Sequence, residues 1–380
     1  MSRPPWARWV TRVSLAIALV ALVFTIRNLG VVTLGRYFRR IGWWWIAVAA
    51  LEVAITSLDA FAIRAFLSPE SRAVRLRSAV LSQLAGRAVN AVTPSGNLGE
   101  AVKVSVLTEH VSNSRAVATI LLYNVVSFSV ELGIVAIAAP FLALLVPMPT
   151  GLRWIMLLAG LVCLVISIAL YALVHRGMLE SVGPLAARIR IPGLGWVRRR
   201  LFKRPGGTSR LMEDYGTWRD RLRSVDDKMR MSAGARAGDR WLGIASVVAS
   251  RLTSMTLSLT ILHAVGESIT VGFVAAYTVG GFAIYMLSSL VPMGLGISEG
   301  GNWALFKALG ENPARGVTLV IARRVTLVVY AAIGLVLVTA SETVQRARDR
   351  HLGEAAGPAQ AALPLASPSV AQAHVTDAVE

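Results

Sequence analysis

Two short stretches of this chain interleave helix-breaking residues with ionisable ones. The first runs Gly86-Arg87-Ala88-Val89-Asn90 and then Thr93-Pro94-Ser95-Gly96-Asn97-Leu98-Gly99-Glu100, with Lys103 one turn further on. The second reads Val291-Pro292-Met293-Gly294-Leu295-Gly296-Ile297-Ser298-Glu299, and Arg323-Arg324 follow downstream. Proline and glycine interrupt helices. A half-helix restarting near 95–99 would therefore aim unbonded N–H groups at a phosphate or similar anion; capping of that end by Ser95 or Asn97 is the alternative. Arg87, Lys103 and Arg324 would hold an anionic headgroup, while Glu100 and Glu299 fix those cations, bind a co-transported proton or grip an amine. The rival reading is that Glu100 and Lys103, three residues apart on one helix face, neutralise each other and tie the segment shut. The candidate substrate-binding residues are thus Arg87, Asn90, Ser95, Asn97, Glu100, Lys103, Ser298, Glu299, Arg323 and Arg324.

A second group sits in an otherwise apolar stretch. Glu52 and Asp59 are seven residues apart, with Thr56 between them on the same helical face. An ionisable group inside a membrane span is costly enough to mark a function by default. Arg251 stands 199 residues after Glu52, and a Glu52 to Arg251 pair joining two halves of the molecule is one expectation; separate structural hydrogen bonds are the other. His263 reads as an interface residue, and Trp154, Trp241 and Trp303 as interfacial anchors.

Other chemistries lack their residues. Cys163 is the single cysteine and lies in an apolar run, so neither a disulfide framework nor a thiolate metal site can be built from this sequence. The five histidines show no metal-ligand spacing, and no Gly-rich motif ending in Gly-Lys-Ser/Thr occurs for nucleotide binding. The expectation is no cofactor and no metal.

These residues must be positioned by membrane helices. Of the 380 residues 55% are hydrophobic and 16% charged, too little polar surface for a water-soluble globule. The net charge of +18 would suggest nucleic acid, but the basic residues flank apolar runs, the habit of a protein facing anionic lipid headgroups. Spans are expected at Ser14–Arg27, Gly42–Phe61, Val117–Ile137, Trp154–Val174, Trp241–Leu262 and Thr318–Thr339; the third and fourth read as plain crossings. Residues 175–240 carry sixteen Arg or Lys against seven Asp or Glu and read as a cytoplasmic segment. From Gly353 onward the Ala-, Pro-, Ser- and Gln-rich composition predicts a disordered tail.

The two broken stretches recur at nearly constant spacing. Glu100 and Glu299 are 199 residues apart, Pro94 and Pro292 198, and Arg115 and Arg315 200; Ala118–Val126 matches Thr318–Thr326, setting Asn124 opposite Arg324. The apolar limbs around Pro94 are too short for independent crossings, and Val271–Leu290 with Asn302–Leu309 are taken as the limbs of the second stretch. The expected fold is an all-α integral membrane protein of six full spans plus two re-entrant helical hairpins in inverted repeats. Its parts would be an N-terminal anchor helix (1–41), a first repeat (42–138), a connecting span and basic segment (139–240), a second repeat (241–340) and a tail (341–380). With a cytoplasmic amino terminus the hairpins enter from opposite sides, the arrangement that points to a transport site near the bilayer midplane.

On the hairpin residues quoted above, the chain resembles the flippase-like family typified by the transmembrane domain of lysylphosphatidylglycerol synthase. The resemblance covers most of 10–345. It implies movement of a phospholipid or lipid-linked headgroup between the leaflets of a bacterial-type cytoplasmic membrane, with an anionic or aminoacylated lipid as ligand and a lipid-synthesising enzyme as possible partner; that both termini are cytoplasmic is expected instead from Arg3, Arg8 and Arg12 ahead of the first span and from six crossings. The soluble catalytic domain of the two-domain relatives is absent from this sequence, and Tyr123-Asn124 stand where the second repeat has Arg323-Arg324. Two other classes remain: a membrane-embedded transferase with Glu100 or Glu299 as general base, and a non-transporting membrane partner protein.

Overall fold

The computed structural model describes residues 41–92, 98–147, 150–176, 237–289 and 296–326, with 39, 227–229, 231, 329 and 333 as isolated positions; all belong to the unit Met1–Leu335. The expected first span, most of the basic segment, both loop tips (93–97 and 290–295, hence Ser95, Asn97 and Leu295) and the tail lie outside the described residues. What is described is helical throughout, apart from turns and a short 3-10 turn at Glu70–Arg72.

Helix α1 is Trp44–Phe66, α2 Leu76–Val92, α3 Leu98–Leu107, α4 Asn113–Leu145 and α5 Thr150–Arg176. After the basic segment come α6 (Ala237–Ala264), α7 (Val271–Ser288), α8 (Ile297–Ala308) and α9 (residues 313–326). Five of these stretches, α1, α4, Arg153–Ala172 within α5, α6 and α7, are long and apolar enough to cross a membrane. The protein is therefore an all-α, multi-span membrane protein. α7, expected as a hairpin limb, is itself among them: its 18 residues extend about 27 Å, close to the roughly 30 Å hydrocarbon thickness. By contrast α3 and α8, of 10 and 12 residues, reach only about 15 and 18 Å.

The helices carry apolar side chains on their outer faces as well as inside. On α1 the buried face carries Val48, Glu52, Ile55, Thr56, Asp59, Ile63 and Phe66, while Ile46, Val53 and Phe61 point outward. Trp154, Trp241 and Trp303 are also exposed. Lipid is as apolar as leucine, so burial of apolar surface does little to hold such helices together; close packing and interhelical hydrogen bonds must do it. Both are present. α1 packs along α6 and α4 along α5, and α2 lies on α3. At the first of these interfaces Gly243 lets α6 meet the Phe66 ring, where a Cβ would sit 2.5 Å from Cε1. One apolar cluster, including Ile63, Phe66, Leu107, Tyr123 and Val247, fills the space among α1–α4 and the facing part of α6. Another, including Ile55, Leu257, Ile261, Phe273, Phe306 and Leu319, fills that among α6–α9, and α1 contributes to both.

The two halves share an element order, a long helix, an interrupted pair and a further helix, and equivalent residues do equivalent work. Arg115 at the start of α4 donates to the carbonyls of Leu67 (3.0 Å) and Ser68 just beyond α1. Arg315 at the start of α9 donates to Glu267 (3.0 Å), just beyond α6. Each arginine ties the fourth helix of its half to the exit of the first.

Candidate functional site

The polar side chains assemble into three connected groups. The first closes the pair α2 and α3. Glu100, in the first turn of α3, accepts from Asn90 Nδ2 (3.0 Å), from Lys103 Nζ (2.9 Å) and, through its other oxygen, from Asn124 Nδ2 on α4 (3.0 Å). The Asn90 carbonyl oxygen accepts the Gly99 N–H at 2.6 Å. The Gly99 N–H at the α3 amino terminus, expected to face an anion, is thus occupied by the Asn90 side chain of α2; the capping expected from Ser95 or Asn97 lies outside the described residues. Lys103 is buried, with its ammonium 5.4 Å from the Tyr123 ring centroid. Asn124 is neutral where its counterpart in α9 is an arginine; Lys103 supplies the missing charge from α3 itself.

The second group crosses between the halves. Arg87 on α2 donates to Glu52 (2.6 Å) and Thr56 (2.8 Å), so Glu52 is not the partner of Arg251. That expected pair is replaced by a shift of two helical turns along α1. Arg251 lies 3.5 Å from Asp59 and donates to Glu131 (3.1 Å) and to the Tyr123 hydroxyl (3.0 Å). Ser250 adds a 2.6 Å hydrogen bond to Asp59. The seven-residue spacing did place both carboxylates on one buried face, but α2 and α6 each take one of them.

The third group lies among α7, α8 and α9. Gly296, with φ +81° a left-handed residue that favours glycine, precedes α8, and its N–H donates to Glu299 at 2.9 Å. The other Glu299 oxygen is salt-bridged to Arg324. The equivalence of Asn124 and Arg324 therefore holds at the level of contact: each bonds the first-turn glutamate of its half. Ser298 donates to Ser288 (2.9 Å), joining α8 to α7 as Gly99 and Asn90 join α3 to α2. Arg323 donates to the Ser258 hydroxyl (2.7 Å) and the Ser254 carbonyl (3.4 Å) of α6.

A cavity of about 500 Å³ opens between this third group and the centre of the molecule. α6 contributes Arg251, Ser254, Met255 and Ser258; α7 contributes Tyr277, Thr278, Tyr285 and Ser288; α8 contributes Ser298 and Asn302; α9 contributes Arg323 and Arg324; and α4 contributes Glu131. Of the residues singled out from the sequence, Arg251, Ser298, Arg323 and Arg324 line it, with Glu299 behind Arg324 and Asp59 behind Arg251. Arg87, Asn90, Glu100, Lys103 and Glu52 belong instead to the closed groups of the first half. Glu131 was passed over because its span read as a plain crossing; a single carboxylate in a run that apolar was the available signal. Ser254, Ser258 and Asn302 gave no such signal, since their place depends on how α6 and α8 are rotated.

Among the described residues no group of three or more His, Cys, Asp or Glu is disposed to hold a metal ion. The arrangement sets arginines, one glutamate, hydroxyls and an amide around a pocket of about 500 Å³. A family model described as the lysylphosphatidylglycerol synthase TM region matches residues 12–334. Comparison with curated proteins and with solved structures gave no match.

Proposed function

The chain belongs to the lysylphosphatidylglycerol synthase transmembrane-region family, and from that premise we propose that it moves a phospholipid or lipid-linked headgroup between membrane leaflets, using the α6–α9 cavity to hold the headgroup. The observation that carries the proposal is the cavity itself: three arginines, one glutamate and a set of hydroxyls around about 500 Å³, lined in part by α4, α6 and α7, which are long and apolar enough to span. Charged side chains at membrane depth are expensive unless they serve a pathway or one another. A phosphate would use the arginine hydrogen-bonding capacity that a plain helix bundle has no reason to retain.

In this reading α2–α3 and α7–α8 are re-entrant hairpins of two inverted repeats, 42–138 and 241–340, completed to six spans by the segments around 14–27 and 318–339. The short α3 and α8, the near-constant offset of about 199 residues and the matching Arg115 and Arg315 contacts support it. α7 serves as a long limb, and its span length fits a hairpin that reaches deep. The closed first half, with Glu100 clamped by Asn90, Lys103 and Asn124, and the open second half would exchange roles as the headgroup changes leaflet. Both termini face the cytoplasm in a bacterial-type membrane, and a lipid-synthesising enzyme supplies the substrate.

The experiment is leaflet transfer in proteoliposomes, with anionic, zwitterionic, aminoacylated and polyprenyl-phosphate lipids and with Glu100→Gln and Glu299→Gln. Selective transfer that both variants slow while remaining folded is the expected result. Absence of transfer for the whole panel from folded protein, with and without an ion gradient, would overturn it. Cysteines at Ser95 and Leu295 in a Cys163→Ala background should react from opposite sides of the membrane; reaction from one side only would remove the inverted-repeat arrangement.

A further inference from the structure

We infer that the cavity selects a zwitterionic headgroup, one phosphodiester and one ammonium, over a headgroup of net negative charge; the inference rests on the headgroup-holding role proposed above. It comes from where the charges sit. The wall carries Arg251, Arg323, Arg324 and Glu131, and directly behind it Asp59 meets Arg251 and Glu299 meets Arg324. Three positive and three negative groups leave no net charge.

They are not evenly matched. Arg251 faces two carboxylates, Glu131 at 3.1 Å and Asp59 at 3.5 Å. Arg324 has Glu299. Arg323 has, among the described residues, only neutral partners, the Ser258 hydroxyl at 2.7 Å and the Ser254 carbonyl at 3.4 Å. The site is therefore a fixed dipole, positive at Arg323 and negative around Arg251. Asp59 is sealed from the cavity and held by Ser250, which leaves Glu131 as the carboxylate that a ligand can reach.

A lone anion brought to Arg323 would leave the surplus carboxylate uncompensated in a medium of low dielectric constant, which is costly. A headgroup carrying both charges satisfies both ends, its phosphate on Arg323 and its ammonium on Glu131. The separation suits a short linker: Arg323 binds α6 at Ser254 and Ser258, one to two turns from Arg251, or roughly 5–10 Å along the axis. A primary ammonium brings N–H donors for Glu131, and a quaternary one does not.

The test measures binding and transfer separately on the full chain. Binding of phosphatidylethanolamine, phosphatidylglycerol and phosphatidylcholine with identical acyl chains is read by native mass spectrometry in detergent, and leaflet transfer of the same lipids carrying an acyl-chain fluorophore is read in vesicles. Phosphatidylethanolamine should bind about tenfold tighter than either other lipid, the worth of one charge-assisted hydrogen bond. Glu131→Gln should invert the order in favour of phosphatidylglycerol, because the cavity then carries a net positive charge; Arg323→Gln should weaken all three. Equal or tighter binding of phosphatidylglycerol by the wild type overturns the inference, as does an unchanged order in folded Glu131→Gln protein. If that variant does not fold, the wild-type order decides alone. Selective binding without transfer would leave the inference standing and remove the translocation reading; transfer led by phosphatidylglycerol would do the reverse.

Discussion

Gly99→Ala should separate α2 from α3 and open the clamp on Glu100. A Cβ on Gly99 would lie 2.0 Å from the Gly86 carbonyl oxygen and 2.4 Å from Asn90 Oδ1. Backbone cannot rotate away as a side chain does, so reaching even the 3.4 Å lower edge of ordinary contact requires α3 to move by about 1.4 Å. A shift of that size, directed away from α2, takes the 2.6 Å Gly99–Asn90 and 3.0 Å Asn90–Glu100 hydrogen bonds beyond bonding distance. Overpacking costs about 1–3 kcal/mol, and each lost hydrogen bond about 1 kcal/mol, more where it meets a charge. The sum is roughly 3–5 kcal/mol, a large share of the about 5–15 kcal/mol that holds an ordinary protein folded. The assay is the thermal midpoint of purified protein in detergent, with Gly300→Ala as control, since a Cβ there meets nothing within 4 Å. Equal midpoints for the two variants would show that the close approach of α2 and α3 is not what holds Glu100.

Arg251→Ala leaves Asp59 and Glu131 facing each other without their cation and should destabilise by about 3–5 kcal/mol; Arg251→Lys should recover only part of this in a denaturation series, because an ammonium cannot fork among Asp59, Glu131 and Tyr123. Glu267, in the turn between α6 and α7, has its carboxyl held above the ordinary value, by burial first and then by the neighbouring Glu311 carboxyl, with Arg315 opposing. The folded state thus binds its proton more tightly than the unfolded chain, and stability falls as pH rises through that raised value. Glu267→Gln, which cannot ionise, should flatten this fall and exceed the wild type above it, as read from thermal midpoints between about pH 4 and about pH 8; a parallel pH profile would show that Glu267 does not titrate there.

Composition and apolar run length were enough to foresee the membrane class and four of the five helices of spanning length among the described residues, because crossing a bilayer imposes a length and a polarity that no tertiary contact can override. α7 was legible as apolar but not as a span, since its 18 residues sit at the boundary between a limb and a crossing. Asn124 and Arg324, which match by offset, each bond the first-turn glutamate of their half. Pairing was harder to read. Glu52 and Arg251 match by offset, yet which of Glu52 and Asp59 meets Arg251 depends on the rotation of α6 about its axis and on α2 bringing Arg87 to Glu52 first. The cavity was invisible for the same reason: serines 254 and 258 look like any back-bonding hydroxyls until Arg323 is seen reaching across to them.

Blocking the cavity reversibly tests most directly whether lipid passes through it. Met255→Cys in a Cys163→Ala background puts a single thiol on the cavity wall. Leaflet transfer is then followed in the same vesicles before reaction with a bulky thiosulfonate reagent, after reaction, and after reductive removal of the adduct. Transfer that drops to the protein-free rate on modification and returns on reduction is the expected result. Quantitative modification with an unchanged rate would place the lipid path elsewhere and contradict the assignment of this cavity.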